Sequence, residues 1–246
     1  VGVVSTDSGS TGGSGTGGSG TGSGTGGSGG SGTGGSGTGG SATAPGQTLG
    51  VARSGNATFY SATGAGHCSF DATPHDLMVA AMNRTDYAGS YACGSFVTVK
   101  GPLGTVTVRI TDECPECPKG HIDLSAQAFA KIAKPVTGIV PITWTVVPGD
   151  VQGPIQYRYK EGSTRYWTAI QVRNHKLPIT KLEIMPSGSK TWINVSRMDY
   201  NYFVYAPPIA AGSVQVRVTA EGGATLQDVL PEPKGGLVVN GRGQFP

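Results

Sequence analysis

From Gln47 onward, apolar and polar residues alternate in short runs bounded by Gly and Pro. Phe96–Val99, Thr105–Ile110, Ile142–Val146, Trp167–Val172 and Val214–Val218 are clear examples. In the last run Val214, Val216 and Val218 share one face and Gln215 and Arg217 the other, as in an antiparallel strand with one buried side. The pattern predicts a mainly β protein. One segment departs from it: Leu124, Ala128, Phe129 and Ile132 recur at helical spacing. Ser125 is placed to cap that helix, and Pro135 closes it.

Turn chemistry at Pro148-Gly149-Asp150 interrupts strand-like sequence on both sides, so the predicted organisation has three parts. Residues 1–46 form a disordered linker, because Ser8 to Ser41 is only Gly, Ser and Thr and has no apolar side chain to bury. Residues 47–149 make a small barrel with one helix and every cysteine, and residues 150–246 make a helix-free β-sandwich. The chain begins at Val1 with no basic-then-apolar leader, as expected of a mature product or a piece of a longer chain. No run of about 18 apolar residues occurs, so no membrane-spanning helix and no membrane partner is expected.

Cys68, Cys93, Cys114 and Cys117 form an even set in the first half, which favours two disulfides and an oxidising compartment. Zinc is a rival reading, although such sites more typically offer two close pairs and only Cys114-Pro115-Glu116-Cys117 is close. A thioredoxin-like redox pair is the other rival, without the strand-helix-strand setting it uses. No metal is expected. The formal net charge of +3 is unevenly spread: eleven Lys/Arg face seven Asp/Glu from residue 150 onward, against seven of each over 47–149. So mild an excess suits solubility or an acidic polymer such as pectin, and falls short of the basic stripe that nucleic acid requires.

The densest chemistry is Thr111-Asp112-Glu113-Cys114-Pro115-Glu116-Cys117-Pro118 followed by His121-Ile122-Asp123-Leu124-Ser125. Two of its carboxylates could flank a sugar-binding groove as proton donor and base, the pair that glycosidases require. Local capping and turn roles explain the same residues. His121, a lone loop histidine, is read as a surface residue and given no role. In the second half Thr168, Ile170 and Val172 make a buried face, which sends Trp167 outward with Gln171 and Arg173. An exposed indole can stack on the C–H face of a pyranose, and Tyr166 and Tyr200 could extend that platform. Trp144 and Trp192 are read as core. Asn56, Asn83 and Asn194 stand in glycan-acceptor triplets that matter only in a eukaryotic secretory pathway.

Several segments closely resemble the bacterial type of expansin. They are Tyr157 to Ser163, Arg165 to Lys176 and Met198 to Asn201 in the second half, with Gly55 to Phe59, Thr111-Asp112 and Ile122 to Ser125 in the first. The resemblance implies a six-stranded double-psi β-barrel followed by an immunoglobulin-like β-sandwich that binds carbohydrate. It implies a wall-loosening groove at Thr58, Asp112 and Asp123, and a binding surface of Lys160, Tyr166, Trp167 and Tyr200 with the three rings in line. It pairs Cys68 with Cys93, leaving Cys114 with Cys117. Two positions depart from the bacterial pattern, Cys114 where Tyr is common and Tyr166 where Trp is common. The implied function is that of a secreted monomer, without cofactor, which binds cellulose and matrix polysaccharides such as xyloglucan and pectin, or peptidoglycan, and loosens plant wall without net hydrolysis. The rivals are a weak endoglucanase or peptidoglycan lytic transglycosylase, and a carbohydrate-binding module beside an inert barrel.

Overall fold

The structure, a computed structural model, describes residues 48–246. The Gly/Ser/Thr-rich linker therefore lies outside the described residues.

Six strands close a barrel: β1 (Ala52–Tyr60), β2 (Val79–Asn83), β3 (Phe96–Gly101), β4 (Gly104–Cys114), β5 (Ile122–Ser125) and β6 (Val140–Val147), in the order β1-β5-β2-β4-β3-β6. β1 runs parallel to β5 and β2 parallel to β4, while the other pairs are antiparallel. Alternation written in the sequence fills the interior. Val106, Val108 and Ile110 of β4 and Val140, Ile142, Trp144 and Val146 of β6 point inward, alternating with Thr107, Arg109, Pro141, Thr143 and Thr145. Trp144 is core, as read from its pattern, and its indole N–H donates to Gly120 O at 2.9 Å.

The foreseen helix is α2 (Ala126–Ile132), capped by Ser125, whose hydroxyl accepts from Ala128 N–H at 3.0 Å. It lays Ala128, Phe129 and Ile132 onto the barrel core. Leu124 belongs to β5 rather than to the helix, so Asp123 sits on a strand. A four-residue helix, α1 (Arg84–Tyr87), was not legible in the sequence, because one turn leaves no periodicity. Asn83 caps it and is itself buried.

The remaining strands build two sheets. One has five strands: β7 (Gln156–Tyr159), β8 (Thr168–Arg173), β11 (Ser196–Arg197), β12 (Phe203–Tyr205) and β15 (Val238–Asn240), ordered β11-β12-β8-β7-β15. The other has β9 (Ile179–Pro186), β10 (Ile193–Asn194), β13 (Val214–Ala220) and β14 (Thr225–Leu230), ordered β10-β9-β13-β14. Tyr157, Ile170, Val172, Leu182, Ile184, Val214, Val216 and Val218 share one core between the sheets. Trp192 is not part of it. The ring lies half-exposed with the Arg217 guanidinium 4.5 Å from its centre, because the two-residue β10 leaves it beyond the region the facing sheet covers.

The outward face of β8 corrects the sequence reading a second time. Thr168, Ile170 and Val172 are buried as expected, but Gln171 is fully buried too. Its Nε2 donates to Cys68 O at 2.8 Å, and Arg173 pairs with Asp71 at 2.6 Å. Alternation assigns the face correctly. What it cannot show is that the barrel covers it. The adjoining turn is tied down as well: Tyr87 Oη donates to Asp199 O at 2.6 Å, Ser90 Oγ to Met198 O at 2.7 Å, and Asn201 Nδ2 to Cys68 O at 3.2 Å. His175 lies buried in the same seam against Gly94, whose φ of 76° and missing side chain admit the ring; a Cβ there would stand 2.4 Å from Nε2.

Candidate polysaccharide-binding site

The strand register assembles the groove. Thr58 of β1 is opposite Asp123 of β5, Asp123 is opposite Ala81 of β2, and Ala81 is opposite Asp112 of β4. Four adjacent strands thus carry one row, Thr58, Asp123, Ala81, Asp112. Asp112 joins it only because the β2–β4 register shifts between Ala80 and Ala81, leaving Thr111 as an extra buried residue. Without that bulge Asp112 would follow Ile110 toward the barrel interior. Two inter-strand steps separate the aspartates, which puts their Cα atoms about 9–10 Å apart. Ala81, the small buried residue between them, carries no polar group.

Thr58 Oγ1 donates to Asp123 Oδ1 at 2.6 Å and lies 2.9 Å from His121 Nε2. A hydroxyl has one proton, so while Asp123 is ionised Thr58 must accept from His121, which fixes the proton on Nε2. Burial lowers the His121 pKa and favours this neutral imidazole. Burial also raises the Asp123 carboxyl above the usual aspartate range, against the lowering effects of the Thr58 hydrogen bond and His121, with Glu116 and Asp112 adding to the rise. Asp123 is the groove carboxyl prepared to hold a proton. Asp112 Oδ1 instead accepts two backbone N–H groups, from His67 at 2.7 Å and Glu113 at 2.9 Å. Gly66 permits this approach, since a Cβ there would come within 2.4 Å of the Asp112 carboxyl carbon.

Two groove residues escaped the sequence reading. His121 is 6% exposed, not a surface residue: β5 begins immediately after it and holds it against β1. Tyr60 sits two residues beyond Thr58, its hydroxyl buried and without a hydrogen-bond partner of good geometry. Desolvation, and after it the charges of Asp112 and Asp123, push its pKa up, so it remains a neutral phenol. The period-two spacing of Thr58 and Tyr60 was the signal available for it. The groove end of β4 is closed by the Cys114–Cys117 disulfide, and Cys68–Cys93 pins the loop that crosses Asp112. All four cysteines are thereby used, and among the described residues no cluster of three or more His, Cys, Asp or Glu could hold a metal.

On the sandwich, Lys160 follows β7 and its Nζ lies 6.0 Å and 5.6 Å from the ring centres of Tyr200 and Tyr202, whose rings are themselves 6.0 Å apart. Tyr202 is buried, only 4% exposed, so it backs Lys160 and Tyr200 without adding to the solvent-facing surface. Thr164 and Trp167 close a tight bridge before β8, which leaves Tyr166 at the tip, 59% exposed, with the Arg165 guanidinium 4.6 Å from its ring centre. Trp167 and Tyr200 are both partly exposed. The structure joins Lys160 with Tyr200, and Tyr166 with Trp167; among the described residues no ring contact links the two groups. Groove and platform meet at His67. Its backbone holds Asp112, while Nε2 lies 3.8 Å from Glu113 and 3.9 Å from Asp199, the neighbour of Tyr200.

A closed double-psi barrel with an acidic row, abutting a β-sandwich that shows aromatic rings to solvent, defines a class of polysaccharide-engaging proteins. Comparisons place the chain within that class. The lytic transglycolase family model matches residues 52–144, the barrel. Expansin-YoaJ of Bacillus subtilis (strain 168) is 42% identical over 205 residues, 78% of this chain and 86% of that protein. Expansin-like protein 5 of Dictyostelium discoideum is 31% identical over 206 residues, 79% and 86% respectively. Among solved structures, Clavibacter michiganensis expansin without ligand aligns with a TM-score of 0.72 at 36% identity, covering 80% of this chain and 98% of that one. A mutant of that expansin in complex with cellohexaose aligns at 0.73 and 35% identity with the same coverage. The chain belongs to the expansin family.

Proposed function

We propose that this extracellular protein binds cellulose through Lys160, Tyr166, Trp167 and Tyr200 and loosens plant wall through the barrel groove without net hydrolysis. The observation that carries the reading is the continuity from acidic row to aromatic turn: Asp112, His67, Asp199 and Tyr200 follow one another across the seam. A glucan docked on the rings can reach the groove. Asp123, half-buried beside Thr58, then offers a carboxyl that donates or accepts a hydrogen bond according to its protonation, competing with the bonds that hold one glucan to the next. Residues 47–149 serve as the loosening domain and 150–246 as the carbohydrate-binding one. Cellohexaose bound to the Clavibacter relative supports a β-glucan ligand, and the pairing of every cysteine supports an oxidising, extracellular setting. Xyloglucan and pectin are the proposed matrix ligands.

Asp123→Asn tests the reading. Creep of a stretched wall strip should be lost while retention on cellulose stays within about twofold, because the substitution is remote from the rings. Undiminished creep rejects the role of Asp123. The family match of the barrel motivates an enzyme control: muropeptides or reducing ends released over a long incubation would transfer the proposal to a lytic or hydrolytic activity.

A further inference from the structure

We propose that a cleft at the barrel–sandwich seam, built around Phe70, Arg109 and Arg173, binds the carboxylate of an acidic sugar, a site separate from the glucan groove and platform. The Phe70 ring is almost buried and lies between two guanidiniums, with Arg109 5.1 Å and Arg173 5.8 Å from its centre. One comes from the barrel strand β4 and the other from the sandwich strand β8. Arg173 is satisfied within the protein. It bonds to Asp71 at 2.6 Å and Ser69 O at 3.3 Å, and also to Gln171. Asp71 is shared in turn with Arg158 at 2.7 Å.

Arg109 differs from both of these arginines. Among the described residues its side chain makes no hydrogen bond and no ion pair, although it is half-buried. Desolvation lowers its pKa, and Asp76 acts on it only through space. A desolvated cation without a partner is costly unless an anion reaches it. Its surroundings allow that, for an open cleft of about 180 Å³ is lined by Arg109, Arg173, Phe70, Gln156 and Asn174 together with Asp71 and Thr73.

The chemistry of the lining selects the ligand. A planar guanidinium with free N–H groups matches the two oxygens of a carboxylate. Gln156 and Asn174 each commit their amide N–H to the protein, to Asn240 Oδ1 and to the Gln152 and Pro154 carbonyls, which leaves their amide oxygens to accept from sugar hydroxyls. Asp71 is held by Arg158 and Arg173, which leaves the Arg109 guanidinium to meet an incoming carboxylate. A uronate residue of a wall polysaccharide satisfies all of these conditions. Since the cleft takes one arginine from each β unit, its occupant also bridges barrel and sandwich.

Calorimetric titration of the full chain with trigalacturonate, its fully methyl-esterified form and cellohexaose tests this. Trigalacturonate should bind, and esterification, which replaces each carboxylate by a neutral methyl ester, should weaken it at least tenfold. Arg109→Gln should weaken trigalacturonate by roughly ten- to a hundredfold, the worth of a hydrogen bond to a charged group. Arg109→Lys, keeping the charge without the fork, should fall between, and cellohexaose affinity should be unchanged in both variants. Cellohexaose binding and the thermal midpoint report whether each variant is folded, and the esterified arm needs no variant at all. Equal binding of the ester, undiminished trigalacturonate affinity in Arg109→Gln, or displacement by sulfate at equal concentration would overturn the assignment. None of these outcomes touches the glucan reading, which the cellohexaose arm reports separately.

Discussion

Replacing Thr58 by Val removes one hydroxyl from the centre of the groove while leaving the barrel strands in place. In the native protein that hydroxyl donates to Asp123 at 2.6 Å and accepts from His121 at 2.9 Å. The variant leaves a buried imidazole N–H unsatisfied, at about 1–3 kcal/mol, and takes from the carboxylate a bond of about 1.5–3 kcal/mol. The two effects share one atom and overlap, so the expected loss near neutral pH is about 2–4 kcal/mol. For a folded unit of this size that lowers the thermal midpoint by roughly 4–16 °C. The loss should also depend on pH. Burial already holds the Asp123 carboxyl above its unfolded value, and the Thr58 bond opposes that rise. Without the bond the ionised form is disfavoured further, a cost present above the folded-state pKa and relieved as acidification protonates the group. Urea unfolding of native and variant protein, near neutral pH and again below the carboxylate range, measures the difference. A loss below about 0.5 kcal/mol, or one of equal size at both pH values, would refute the proton assignment within the Thr58–Asp123–His121 triplet.

Trp167→Ala should lower cellulose affinity by roughly five- to tenfold, the lower end of about 1–3 kcal/mol for stacking on an aromatic ring, as read from depletion isotherms; retained binding would move the platform elsewhere. His175, buried in the seam, is held neutral with its pKa lowered to about 4, chiefly by desolvation. Native stability should therefore fall as pH drops from about 6.5 toward that value, by at most roughly 3 kcal/mol. His175→Gln should flatten this limb of a denaturation-against-pH curve, and an unchanged limb would place its origin in other groups. Replacing both Cys68 and Cys93 with Ala frees a loop with a sequence separation of 25 and should cost roughly 3–4 kcal/mol in equilibrium unfolding. A smaller loss would show that the seam hydrogen bonds to Cys68 O and Ser69 O order the loop on their own.

Local pattern determined the β character, the helix after Ser125 and the buried sides of β4, β6, β8 and β13, because period and capping are properties of neighbouring residues. The motif around Asp112 and Asp123 was equally legible, and so was the partial exposure of Trp167. Only the tertiary structure decided what each face meets. The outward side of β8 lies against the barrel rather than water, Trp192 leaves the core for Arg217, and His121 is buried by a strand pairing with residues more than 60 positions earlier. The acidic row itself depends on a register shift that leaves Thr111 unpaired and turns Asp112 outward. Register and interface arise from contacts distant in sequence, whose geometry closure of the barrel imposes, and no window along the chain contains them.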